Sequence, residues 1–236
     1  MSSRREQKER LRAERLAKEE AERRAAARRR RVQLLAGGGG AVVLAGVIVA
    51  IALASGGGSS GGPTYHAGSV PPGADVGVTT KPPPWRPNYD HLDQRLKSMA
   101  LPQLNEQIFH VHAMLRVYVN GKQVTVPPNI GLDQATQTFS PIHTHPDISG
   151  LIHEESAQPY DFTLGQFFAV WGVKFTNQQL GPYKPGNGNV LQVYDNGDLV
   201  SDPVNVVIQA HHLFLVGYGK PGSFPTSYSF TWPAGL

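Results

Sequence analysis

The chain has 236 residues, a formal net charge of +4, 26 Gly, 19 Pro and no Cys. Without Cys there is no disulfide scaffold, no Cys-ligated zinc or iron–sulfur site and no thiol nucleophile. The basic excess is confined to one end: residues 1–31 hold 13 Lys/Arg and 6 Asp/Glu, leaving 9 basic and 12 acidic side chains for the remainder.

Residues 1–33 form a basic arm of good helix formers with Glu and Arg intermixed. Leu11 and Leu16 are too few for a coiled-coil seam. No aromatic residue is interleaved for base stacking, so no nucleic-acid partner is expected. Residues 34–54, LLAGGGGAVVLAGVIVAIALA, are 21 residues without a charge. As a helix they would span roughly 30 Å, the thickness of a bilayer core. A secretory signal peptide has a shorter apolar region of about 7–15 residues, so the segment reads as an uncleaved transmembrane helix. Arg28 to Arg31 abut it, which by the positive-inside rule puts the N-terminus in the cytoplasm and the rest outside. The expected location is the cell membrane, single-pass, with the membrane as a partner.

Residues 55–88 carry 8 Gly and 7 Pro and read as a flexible, then extended linker, with Trp85 pinning its far end. The His-rich globular part follows over 89–236. Asn88 should cap a short helix with Leu92, Leu96 and Met99 on one face. From Ile108 to Val119 the alternation puts Phe109, Val111, Leu115, Val117 and Val119 on one face of a strand and His110, His112, Met114, Arg116 and Tyr118 on the other. Asn120-Gly121 closes a hairpin with Gln123 to Val126. Val117-Tyr118-x-Asn120-Gly121 recurs as Val193-Tyr194-x-Asn196-Gly197, which predicts a second hairpin. Between the two, Thr163 caps a core helix carrying Leu164, Phe167, Phe168 and Trp171. Val204 to Val216 and Tyr228 to Trp232 read as strands. The expected fold class is α+β and β-rich: a single transmembrane helix, then a compact extracytoplasmic domain of two hairpin units with short helices.

Seven of the nine histidines lie between 110 and 212. His110 and His112, and His143 and His145, are His-x-His pairs, whose rings project from one face about 7 Å apart in a strand. A Gly-containing bend leads on to His153 and Glu155, again i and i+2. These six residues are the expected ligands of a transition metal, copper or zinc, since imidazole with carboxylate suits such ions. Met114, on the face of His112, would favour Cu(I). At most one of His211 and His212 should join the site; His66 and His91 should be solvated. No phosphate-binding glycine spacing and no nucleophile elbow are present.

The segments His110-Val111-His112-Ala113, His143-Thr144-His145, Ser149-Gly150-Leu151-Ile152-His153-Glu154-Glu155-Ser156 and Phe162-Thr163-Leu164-Gly165-Gln166-Phe167-Phe168 resemble an uncharacterised family of bacterial proteins, often N-terminally membrane-anchored. The resemblance covers roughly 106–219. Family members usually have Asp directly after the second His, where Pro146 intervenes here, and often a Cys upstream of the first pair, where this chain has Leu or Gln. It implies family membership and an extracytoplasmic place, and brings no established activity. Three functions are compatible with the residues: membrane-anchored metal handling or sensing, a metalloenzyme with Glu154 or Glu155 as general base and a cupin-like arrangement, and a non-catalytic module with an envelope protein partner.

Overall fold

The computed structural model describes Pro71, residues 73–233 and Leu236. In chain order the elements are α1 (Leu92–Ser98), β1 (Leu104–Val119), β2 (Lys122–Val124), β3 (Leu132–Asp133), β4 (Thr138–Phe139), β5 (Ile142–His143), β6 (Leu151–Ser156), α2 (Leu164–Trp171), β7 (Phe175–Thr176), β8 (Gln179–Leu180), β9 (Val190–Asp195), β10 (Asp198–Leu199) and β11 (Leu213–Gly219). A mixed sheet runs β10-β9-β11-β1-β6-β5. The long strand β1 organises it. One edge pairs in parallel with β11 over Met114–Val119. The other edge is shared between β6 and β2, both antiparallel.

Alternation along these strands sorts the side chains. Ala113, Leu115 and Val117 of β1, Ile142 of β5, Ile152 of β6, and Phe214 and Val216 of β11 are all buried in one apolar core with α2. Helix α2 is buried along its whole length, so it is a core helix. Its start is the expected cap: the Thr163 side chain accepts from the Gln166 backbone while Gln166 accepts from the Thr163 N–H, satisfying two orphan donors. Gly172 ends it in the left-handed conformation. Trp85 is buried edge-on against Trp171 at 5.9 Å, and its indole N–H donates to the Lys81 carbonyl. Both Asn-Gly turns close hairpins, β1–β2 and β9–β10.

Several expectations need correction. The transmembrane helix over 34–54 lies outside the described residues, as do the basic arm and His66. Among the described residues no helix is long and apolar enough to cross a membrane. The longer of the two helices among the described residues has 8 residues, about 12 Å at 1.5 Å per residue against the roughly 30 Å a bilayer requires. Single-pass topology, the membrane as partner and extracytoplasmic placement are therefore unsupported. What stands is an α+β, β-rich domain with two short helices and a mixed sheet. Asn88 does not cap α1: its amide donates to the Gly77 carbonyl and its oxygen accepts from Asp90, two residues on. Only the end of the 204–216 segment is a strand, and 228–232 is none. Tyr228 instead spends its hydroxyl on the Met114 and Phe214 carbonyls, pinning the C-terminal segment across the sheet.

Candidate metal centre

Strand register places three imidazoles side by side. His112 of β1 is the cross-strand partner of His153 of β6, and His153 is also the partner of His143 of β5. One step along, His110 pairs with Glu155. All five lie on the face opposite the apolar core, because residues of like parity project together from paired strands. Reaching this register requires a sharp bend before β6. Gly150 supplies it with φ +84°, and a Cβ there would stand 2.3 Å from the Leu115 carbonyl oxygen.

His145 follows β5 and is held by the residue between the two histidines. Thr144 points inward: its hydroxyl donates to the Pro127 carbonyl at 2.9 Å and accepts from the Ile130 N–H at 3.0 Å. Its backbone makes two further bonds, with Asn129 and Ile130. His143 Nδ1 donates to the Ser140 carbonyl at 3.0 Å, which leaves the lone pair on Nε2. That Nε2 stands 3.0 Å from Nε2 of His145. A ligating histidine typically has this arrangement, one ring nitrogen tied to a backbone carbonyl and the other directed at the ion. Two nitrogens on a tetrahedral ion at about 2.0–2.1 Å stand about 3.3 Å apart, close to the separation here.

One donor atom each from His143, His145, His153 and Glu155 lies within 4.8 Å of the others, and the same holds for His110, His112 and His153. The six predicted residues are thus brought together. Glu155 is central, with Oε1 3.0 Å from His110 Nε2 and 3.6 Å from His153 Nδ1, and Oε2 3.8 Å from His143 Nε2. Four of the six are buried, His143 at 1%, His153 and Glu155 at 5% and His112 at 6% exposure, while His145 is half-buried and His110 exposed. His112 Nε2 and both ring nitrogens of His153 have no hydrogen-bond partner. Each such buried polar atom costs about 1–3 kcal/mol unless something satisfies it.

The electrostatics keep the donors available. Burial, with the neighbouring His153 and His110 rings, lowers His112 to about 4. Burial lowers His143 to about 3 despite the opposing pull of Glu155, and lowers His145 too. Burial would raise Glu155, but His153, His143 and His110 together hold it below the usual carboxylate value. Neutral rings and an ionised carboxylate are the protonation states a cation needs.

Glu154 differs. It faces the other side of β6, paired with Val111 and Ile142, and is 1% exposed. Burial, then the nearby Asp161, raise its carboxyl to about 9. A carboxyl that is protonated at neutral pH on the core face cannot serve as general base at this cluster. His211 and His212 stay out of both donor groups: His212 bonds Asp195 at 2.8 Å, and His211 stacks on Trp232. Met114 takes the next place on the face, opposite Leu151. Ser140 and Thr144 were not among the predicted residues, although inward alternation of the Thr within His-Thr-His carries the signal for the second. No protein-family model, curated protein or solved structure matches this chain, so the resemblance drawn from its motifs rests on those motifs alone.

Proposed function

We propose that the domain binds a transition metal ion, zinc or copper, through His143, His145, His153 and Glu155. The observation that carries this reading is the meeting of the His143 and His145 Nε2 atoms at 3.0 Å, with His143 Nδ1 committed to the Ser140 carbonyl. Three imidazoles and one carboxylate suit Zn(II) in tetrahedral geometry and Cu(II) in a flatter one. Four protein donors fill a tetrahedral ion, which favours holding the metal over activating water on it. The protonated state of Glu154 supports the same preference, because it removes one of the two bases that hydrolysis could have used.

The test is elemental analysis of the full chain after reconstitution with Zn(II) or Cu(II) and removal of excess ion. About one equivalent or more is expected, falling several-fold in the His143→Ala/His145→Ala variant. Less than about a tenth of an equivalent in the wild-type chain overturns the reading.

A further inference from the structure

The two donor groups share one residue. His153 belongs to the set with His143, His145 and Glu155 and to the set with His110 and His112. It is buried, and neither of its ring nitrogens makes a hydrogen bond within 3.5 Å, Glu155 Oε1 standing 3.6 Å from Nδ1. An ion held by the first set uses one of them. The other nitrogen's lone-pair direction diverges from the first across the ring, so the same ion cannot take it. His112 Nε2, outside that set, is also buried and unpartnered. A single ion therefore leaves two buried ring nitrogens, His112 Nε2 and one of His153, without a metal or a hydrogen bond within 3.5 Å.

The strand order explains the sharing. β6 lies between β5 and β1, so the His153 ring has one histidine pair toward each neighbouring strand. Its centroid is 5.5 Å from His143 and 4.5 Å from His145 on one side. On the other it is 4.6 Å from His112 and 5.9 Å from His110.

We propose that the cluster is a dinuclear centre in which the His153 imidazolate bridges two transition-metal ions. This rests on the single-ion reading above and extends it. The first ion is held by His143, His145, Glu155 and one nitrogen of His153. The second is held by His110, His112 and the other nitrogen. With metal–nitrogen bonds of about 2.0–2.1 Å on either side of one ring, the ions stand about 6 Å apart. The neutral ring carries one proton. The first ion takes the nitrogen with the lone pair, and the second displaces the proton from the other nitrogen to solvent, with no change of oxidation state. The second ion has three protein donors, and the His110 side chain is 41% exposed. Its remaining position is therefore open to water or a small anion, which makes the His110 side the reactive one.

The experiment uses the full chain, stripped of metal by chelation. It is titrated with Zn(II) by calorimetry and with Cu(II) followed by electron paramagnetic resonance. About two equivalents of Zn(II) are expected for the wild-type chain and about one for His110→Ala/His112→Ala. The second equivalent of Cu(II) should diminish the signal of the first, because the bridging ring couples the two spins. This spectroscopic readout is taken on the wild-type chain and does not depend on any variant folding. One equivalent in both the wild type and the double variant overturns the bridge and leaves the single-ion reading standing. No bound equivalent overturns both. Two equivalents with fully additive signal overturn the shared His153.

Discussion

On β1 and β6 the same alternation serves two faces by opposite means. Toward α2, Ala113, Leu115 and Ile152 are buried among other apolar side chains. Away from it, His112, His153 and Glu155 are buried nearly as deeply, yet three of their ring nitrogens make no hydrogen bond. The core face needs nothing more to be stable, since apolar burial is its own driving force. The imidazole face is incomplete in the sense that buried polar groups normally have partners. Further along the same sheet, Tyr194, Leu215 and Phe224 form a small second cluster, and Arg116 sits 4.2 Å over the Tyr228 ring. The C-terminal segment thus covers that part, while the histidines hold the part it leaves.

The sharpest separation of the two faces comes from truncating each. Phe214→Ala on the core face should cost about 3–5 kcal/mol in denaturant unfolding and leave metal stoichiometry unchanged in the folded protein. Equal loss of stability and metal would show that the faces are not independent. Glu154→Gln tests the one ionisable group on the core side. Its folded pKa of about 9 lies above the unfolded value, so the wild-type chain binds more protons folded than unfolded, and its stability falls as pH rises from about 4.5 toward 9. The Gln variant lacks that slope and should gain about 4–5 kcal/mol over wild type at pH 8, with little difference at pH 4. A variant as unstable as wild type at pH 8 would mean that the carboxylate is accommodated after all.

Thr144→Val removes two buried hydrogen bonds behind the His-Thr-His segment. It should cost about 1–2 kcal/mol and weaken metal binding without removing a donor. Isothermal titration against wild type reads the affinity, and an unchanged value would detach Thr144 from positioning the ligands. The mildest effect concerns pH. Unperturbed imidazoles would release metal near pH 6, but His112 and His143 stay neutral down to about 4 and 3. Bound metal should therefore persist to about pH 5 on dialysis. The apo domain should lose stability as pH falls from the unfolded histidine value of about 6.5 toward those folded values, because the unfolded chain takes up protons first. Metal release centred near pH 6 would show that the rings are less buried in solution.

Much of this was legible in local patterns. The period-2 run of β1 assigned its two faces, Asn120-Gly121 and Asn196-Gly197 closed their hairpins, and Thr163 with Gln166 made the cap of α2. Each depends on residues a few positions apart. The helix cap at Asn88 failed because its side chain finds Gly77, 11 residues away. The strand expected through Val204 failed because that stretch packs against the start of α2, where Gly165 and Leu164 donate to Val204 and Val206 carbonyls.

The sequence by itself determined which residue types were available: paired histidines at i and i+2, a carboxylate two places after His153, a Gly where the chain must bend. It did not determine that β6 would lie between β5 and β1. Strand order and register arise from pairings between distant segments, and a shift of one residue would send His112 or His153 into the core. Only the tertiary structure decided that Glu155 joins the histidines while Glu154, its neighbour in the chain, is buried protonated on the other face. The physical reason is the pleat, which sends adjacent side chains of one strand into environments of opposite polarity.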